Sequence, residues 1–384
     1  MIAPVAKMNN QQLHSLDMLR GIAALMVAMY HCGWLMIATP LDIVRNAGLM
    51  VDFFFVLSGF VIAYCYDGRL GENGPIRAFM AKRFWRLWPL HLATMLAFIG
   101  IEVLRLGFEI QQGTQLSPPA FGEGYALAII ANILLLHSTG LFPSVPDINA
   151  VSWSISVEFY TYFIFALVSL TGRLRLAIFA ALAFASAALL YIWHGRLTGE
   201  ATTFGLLRCL YSFGLGFITF RLFSVLRPAS QPRSGILYAV GLGLLLFLGG
   251  WFIGFAGKTI WEIVVPPLFA LAVLALALAE KPGDFESPAF APLKWLGKVS
   301  YSIYMVHLAI NWFFVQFLRV VLDWPASGAY DGMEKLDGGA LAGNLWFAAY
   351  LLAVLVVSGL TFHFIENRFR RGLRQSPPSR EVAA

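Results

Sequence analysis

Long apolar runs recur along this chain, each about the 20 residues that a helix needs to cross a hydrocarbon core. Short stretches holding most of the charge separate them. In lipid such a run must pair its own backbone N–H and C=O groups, so each is expected to be a helix. Taken in order, the runs fall near residues 16–36, 46–66, 86–106, 153–171, 175–194, 203–223, 235–256, 259–280, 295–320 and 342–365. One further segment, YALAIIANILLLHS at 125–138, is apolar but short for a crossing. It is expected to lie re-entrant or on the membrane surface. The expected fold class is therefore all-α, a polytopic membrane bundle of about ten transmembrane helices plus one short re-entrant or interfacial helix. Composition agrees: 59% of the 384 residues are hydrophobic, only 12% are charged, and the mean hydropathy is +0.72. That is too apolar for a soluble protein of this length.

Basic residues fall on alternate connections: Lys7, then Arg69, Arg77, Lys82 and Arg83, then Arg173 and Arg175, then Arg227 and Arg233, then Lys281 and Lys294, and finally Arg368, Arg370, Arg371 and Arg374. The positive-inside rule assigns these connections, and with them both termini, to the cytoplasm. The opposite loops are acidic or neutral, with Glu109, Glu123 and Asp147 in one and Asp323, Asp331, Glu334 and Asp337 against a single Lys335 in another. The net charge of +6 is accounted for by anionic headgroups at the cytoplasmic helix ends. The lipid bilayer is the expected partner, and nucleic acid is not. Cys32, Cys65 and Cys209 lie in or beside spans without CxxC spacing, so neither a disulfide framework nor a metal site is expected. Arg20 interrupts the front of the first apolar run, which is not the pattern of a removable signal peptide. A single membrane domain over 1–375 with a short polar tail at 376–384 is expected.

Ionisable side chains inside such spans are expensive and usually face the bundle interior. The first span, LDMLRGIAALMVAMYH, keeps three of them. Arg20 and His31 are eleven residues apart, about 16 Å of rise and close to three turns on an ideal helix. Asp17, Arg20, Ala24, Val27 and His31 thus form one stripe suited to lining a tunnel, with Asp17 placed to pair with Arg20 at i,i+3. In WSISVEFYTYFIFAL, from Trp153, Glu158 falls at a depth similar to His31, which makes a His–carboxylate pair an expectation. Such a pair fixes an imidazole tautomer for proton abstraction. The span SYSIYMVHLAIN sets Ser300, Tyr304, His307 and Asn311 on one stripe. Asp52, Arg208 and Glu262 fall near outer helix ends. Each has a plainer reading too: Arg20 snorkelling, His31 a packed histidine, Arg83 and Arg86 topology anchors, Trp153 and Tyr304 interfacial aromatics.

The stretches LDMLRGIAALMVAMYH, VDFFFVLSGFVIA, KRFWRLWPL, VSWSISVEFY, LGKVSYSIYMVHLAI and FIENRFR, in this order, resemble the acyltransferase-3 family of integral-membrane acyltransferases. In that family a basic residue followed eleven positions later by histidine marks the first helix, here Arg20 and His31. Its spaced arginine pair corresponds to Arg83 and Arg86, and its SVEFY run to Ser156–Tyr160, with Glu158 inside. Met18, His91 and Asn367 stand where the family commonly has glycine, an aromatic and proline; the His91 change bears on donor fit.

The resemblance implies transfer of an acyl group, often acetyl, from cytoplasmic acyl-CoA to a hydroxyl of an extracytoplasmic glycan or lipid-linked sugar, in a bacterial inner membrane. No cofactor is expected to be bound, acyl-CoA (acetyl-CoA by the family's habit) being the donor substrate. His31 and Glu158 are the expected catalytic pair, and Arg20, Arg83 and Arg86 the acyl-CoA-binding residues. Asp17, Asp52, Trp153, Ser156, Tyr304, His307 and Asn311 are candidates for pocket or oxyanion positions. A proton-coupled secondary transporter is the alternative, since intramembrane His, Glu and Arg on many spans describe carriers as well.

Overall fold

The computed structural model describes residues 12–70, 75–142, 145–199, 201–230, 234–330 and 333–369. The predicted tail at 376–384 lies outside them, as do Lys7, Arg233, Asp331, Arg370, Arg371 and Arg374 of the orientation pattern. In chain order the helices are α1 His14–Tyr30, α2 Asp42–Arg45, α3 Met50–Tyr66, α4 Ile76–Gln112, α5 Tyr125–Ile133, α6 Trp153–Ser169, α7 Arg175–His194, α8 Ala201–Ser230, α9 Ser234–Phe247, α10 Ile253–Ala256, α11 Val265–Ala279, α12 Ala291–Val320 and α13 Ala340–Thr361. Among the described residues, eight helices are long and apolar enough to cross a membrane. The other two predicted spans are helical as well. One is α1, at 17 residues, and the other is α9, carried on to α10 by a π-helical turn over Leu248–Phe252. The chain is a polytopic all-α integral membrane protein.

Two features depart from the predicted boundaries. The first span stops at Tyr30 instead of continuing to residue 36, because Gly33, Trp34 and Leu35 leave the helix to pair with a later segment. That segment is a hairpin between α12 and α13, β1 Ala326–Tyr330 and β2 Met333–Leu336, antiparallel with Ala326 opposite Leu336. These are the only strands among the described residues. Sequence periodicity gave no sign of the hairpin, since five- and four-residue strands in a polar loop carry little alternation.

The short apolar segment is α5, whose nine residues rise about 14 Å, less than half of a hydrocarbon core. Ala128, Ala131 and Asn132 pack inward while Leu127, Ile130 and Leu134 stay exposed. Its last carbonyls would be orphaned, and α4 satisfies them: Trp88 Nε1 donates to Ile133 O at 3.1 Å and His91 Nε2 to Asn132 O at 3.0 Å. The start of α1 is capped by a carboxylate. Glu280, at the end of α11, accepts from His14 N at 2.7 Å and from Ser15 N at 3.0 Å, an anion placed where the helix dipole is positive.

Lipid is as apolar as leucine, so helices in it associate through close packing more than through burial from water. Small residues make that packing here. A Cβ on Gly59 of α3 would lie 2.0 Å from Phe213 O of α8, and one on Gly216 of α8 would lie 2.0 Å from Val56 O of α3. The two backbones touch. Around this crossing, Phe60, Phe165, Phe179, Phe213, Phe217 and Phe223 are buried with ring centroids 4.8 to 6.2 Å apart. Gly216→Ala or Gly59→Ala should therefore separate α3 from α8 and destabilise the protein by about 1–3 kcal/mol. Thermal unfolding in detergent reads this directly, and an unchanged midpoint for both variants would contradict the contact.

Candidate active site

Acidic and basic side chains gather at the end of the bundle where α1 begins. They line a cavity of about 320 Å³ between α1, α3, α4, α6 and α12. Arg20, Arg83, Arg86 and Lys298 supply positive charge to its wall, and Asp17, Glu158 and Glu366 negative charge. Arg20 does not snorkel away. Its Nε donates to Ser300 Oγ at 2.9 Å, and its Nη2 to Gly297 O at 2.8 Å, with Asp17 Oδ1 at 3.2 Å as predicted from the i,i+3 spacing. The Arg83 guanidinium lies over Tyr66, 5.3 Å from the ring centroid, and donates from Nη2 to its hydroxyl. Arg83 Nε is buried without a hydrogen-bond partner. Arg86 makes no direct hydrogen bond or ion pair among the described residues. Two arginines with unused donors on one helix face have the chemistry to bind an anion.

The cavity wall reaches Val51, Phe54, Ser154 and Tyr304 at its far end. There Phe54 and Tyr304 meet edge to face with centroids 5.8 Å apart. The Tyr304 hydroxyl donates to Val151 O at 3.0 Å and accepts from Ser154 Oγ at 2.9 Å. His307 lies one turn further along α12, its ring centroid 6.1 Å from that of Tyr304.

His31 and His307 form a pair. His31 Nδ1 lies 3.0 Å from Val27 O and 3.2 Å from His307 Nε2, and His307 Nδ1 lies 3.2 Å from Ile303 O. A carbonyl oxygen can only accept, so the network assigns a proton to each Nδ1. His31 Nδ1–H is then shared between Val27 O and His307 Nε2. The Nε2 lone pair of His31 is left without a partner among the described residues. A neutral imidazole oriented through one nitrogen and open at the other is the arrangement of a general base.

The structure corrects two sequence expectations here. Glu158 does not contact His31: its carboxylate faces the cavity and accepts from the Tyr162 hydroxyl at 2.5 Å, which is also 2.8 Å from Ser58 Oγ. The reason is packing. α1 lies along α12, which presents His307, whereas α6 lies against α8 and α4. Nor does the stripe from Asp17 to His31 line one continuous tunnel. Asp17 and Arg20 face the cavity, but Ala24 and Val27 are fully packed, and Phe54 and Tyr304 stand between the cavity and the histidines.

The remaining candidates divide similarly. Asp52 and Arg208 form a buried pair, with Arg208 Nη2 2.6 Å and Nε 3.1 Å from the carboxylate and Ser212 Oγ at 3.0 Å. Trp153 covers that guanidinium at 5.2 Å. None of these four residues lines the cavity. Ser156 bonds Leu135 O at 2.6 Å and so holds the segment after α5. Asn311 Oδ1 accepts from Gly33 N at 3.1 Å, fixing the turn after His31. His91 stacks on His137 at 5.6 Å, away from the cavity. Among the described residues no group of three or more His, Cys, Asp or Glu side chains is placed to hold a metal. Sequence reasoning missed Tyr162, although its position four residues after Glu158 on one helix was a usable signal.

A polytopic helical membrane protein with an arginine-lined cavity at one end and an oriented histidine pair beyond it defines a class of membrane enzyme. Residues 13–363 match the acyltransferase domain of the acyltransferase-3 family, and the chain belongs to that family. It is similar to BcsY of Komagataeibacter xylinus, which carries the name membrane-bound transacylase, at 27% identity over 92% of this chain and 81% of that one. It is also similar to the acyltransferase MdmB of Streptomyces mycarofaciens, at 26% identity over 96% and 94% of the two chains. With the peptidoglycan O-acetyltransferase OatA of Listeria monocytogenes it shares 24% identity over 93% of this chain but only 56% of that protein. No solved structure matches it.

Removing one member of a buried ion pair strands the other. Arg208→Met should therefore destabilise the protein by about 3–5 kcal/mol, and the double variant Asp52→Leu/Arg208→Met should recover most of that loss. Unfolding midpoints of the three proteins in detergent test this; an Arg208→Met midpoint equal to that of the parent would return the pair to a minor role.

Proposed function

We propose that this acyltransferase moves an acyl group from acyl-CoA, held at the arginine-lined end, to a hydroxyl of a carbohydrate or related acceptor that approaches from the His31 end. The observation that carries this reading is the placement of Arg83 and Arg86, with unused donors, on a cavity whose far wall, Tyr304, lies one helical turn from the His31–His307 pair. Phosphate oxygens suit those guanidinium groups. A volume of about 320 Å³ is at the low end for a ligand site. It suits a slender pantetheine arm inside with the nucleotide at the mouth. By the positive-inside rule the arginine end and both termini face the cytoplasm, where acyl-CoA is found, and the histidine end faces outward in a bacterial inner membrane. The relatives' names, transacylase and O-acetyltransferase, support acyl transfer over carriage and make acetyl the first donor to try.

In the reaction, His31 Nε2 takes the proton of the acceptor hydroxyl as its oxygen attacks the thioester carbonyl. His307 shares the Nδ1–H and steadies the imidazolium that forms. The tetrahedral intermediate expels CoA thiolate as the C–S bond breaks, and the proton on His31 passes to that sulfur, so no net proton is consumed. Glu158, with Tyr162, belongs to the donor cavity in this scheme. Transfer requires Phe54 and Tyr304 to part so that the thioester reaches His31.

His31→Ala should lower transfer by at least about 10²-fold, the usual weight of a general base, and leave acyl-CoA binding intact. Arg83→Gln/Arg86→Gln should instead weaken acyl-CoA binding by at least about 100-fold, since each of the two charge-assisted bonds lost contributes about 1.5–3 kcal/mol. Purified protein incubated with labelled acetyl-CoA and candidate glycans, together with calorimetric titration of the donor, measures both. Transfer at the parent's rate by His31→Ala would remove the histidine from the mechanism. Donor affinity unchanged in the double arginine variant would return that pair to topology.

A further inference from the structure

The hairpin between α12 and α13 carries a lysine in an unexpected place. Lys335 of β2 is only 4% exposed, and its ammonium group donates to Cys32 O at 2.5 Å, the carbonyl directly after His31 in sequence. Its neighbour Leu336 holds the same turn through the backbone: Leu336 N donates to Gly33 O at 3.0 Å and Leu35 N to Leu336 O at 2.9 Å. α12 and α13 complete the clamp. Asn311 Oδ1 accepts from Gly33 N at 3.1 Å, and Trp34 Nε1, fully buried, donates to Gly343 O at 3.0 Å. Gly343 leaves room for this: a Cβ there would come within 1.9 Å of Leu35 O.

A buried ammonium group is costly, and an apolar side chain of the same length would fill the space as well. At the end of α1 the charge has a definite effect. The C-terminus of a helix is the negative end of its dipole; Cys32 O lies in the turn just past the end of α1, so the ammonium group satisfies an acceptor in that turn and sets a cation beside the helix terminus. His31 is the residue at that terminus. Its ring is held by polar contacts with Val27 O within α1 and His307 on α12, and Tyr30 packs edge-on against it with ring centroids 4.8 Å apart. The contact with His307 depends on the last turn of α1 keeping its place against α12.

We propose that Lys335 is a positioning residue for His31, and that hairpin β1–β2 is a latch locking the turn after the histidine so that its ring keeps its contact with His307. This rests on the acyl-transfer reading given above. The latch acts at the histidine end and leaves the arginine-lined cavity untouched, so its loss has a distinctive signature: turnover falls while donor handling does not.

The test uses the full chain in detergent or nanodiscs, with Lys335→Met keeping the length and removing the charge, and Lys335→Arg restoring it. Two readouts are taken: acetyl transfer from labelled acetyl-CoA, resolved into kcat and donor KM, and the rate at which N-ethylmaleimide alkylates Cys32, located by peptide mass. Lys335→Met should lower kcat at least about tenfold, the order expected when a catalytic group is slightly misplaced. Donor KM should stay within about twofold, a range set by the distant cavity. Cys32, fully buried in the parent, should be alkylated faster. Lys335→Arg should recover most of kcat and protect Cys32 again. Unchanged kcat in Lys335→Met overturns the positioning role, even with faster alkylation. A fall in kcat matched by an equal rise in donor KM and a lower unfolding midpoint overturns it too, since that pattern means global damage. Failure of the acyl-transfer reading itself is distinguishable, because the parent would then transfer no acetyl group, or His31→Ala would transfer as well as the parent, whatever Lys335→Met does.

Discussion

The close approach of α1 to α12 governs the geometry of both halves of the site. A Cβ on Gly297 would sit 2.2 Å from Asp17 O, and one on Gly21 would sit 2.7 Å from the backbone of Leu296, so the two helices meet backbone to backbone. This contact near the start of α1 places Arg20 against Ser300 and Gly297 O. Three turns further on, it places His31 against His307. One helix pair therefore orients a cation at the cavity and an imidazole at the opposite end. A larger residue at either glycine would move both groups together.

Membrane burial explains why the polar groups here are so thoroughly tied. Water is absent from the hydrocarbon region, and each ionised group must find its partner within the protein. Asp52 has Arg208 and Ser212, and Glu280 has the first amides of α1. At the arginine-lined end Asp67 is shared by Arg175 and Arg221, each at 2.7 Å. Against this background the partnerless Nε of Arg83, and Arg86 without a direct hydrogen bond or ion pair among the described residues, stand out, because buried donors normally find acceptors. Those are the positions at which an anionic ligand would complete the hydrogen bonding.

Much of the fold was legible from hydropathy. Every predicted span is a helix, and the short 125–138 segment proved too short to cross. Legibility was weaker where structure depends on partners distant in sequence. The hairpin carried no alternation strong enough to read, and the end of the first helix moved back to Tyr30 because residues 33–35 pair with Leu336, about three hundred residues away. For the site, i,i+3 spacing correctly joined Asp17 to Arg20, and the α12 stripe put Tyr304 and His307 on one face, where their ring centroids lie 6.1 Å apart. Equal depth in the membrane, by contrast, was a poor guide to contact. Glu158 and His31 sit on helices that do not face each other, and Asp52, Trp153 and Ser156 serve packing and helix ends away from the cavity.

Sequence alone thus determined the solvent this protein folds in, the helical nature of its spans, the arginine-to-histidine periodicity of its first helix and its family. Those properties reside in local composition and in spacing along one helix, where the 3.6-residue turn makes geometry predictable. Tertiary structure alone decided that His31 pairs with His307 instead of Glu158, that Phe54 and Tyr304 separate the cavity from the histidines, and that a lysine from a distant hairpin bonds the turn after the first helix. Those depend on which helix faces which, and glycine-mediated backbone contacts between segments hundreds of residues apart settle that choice.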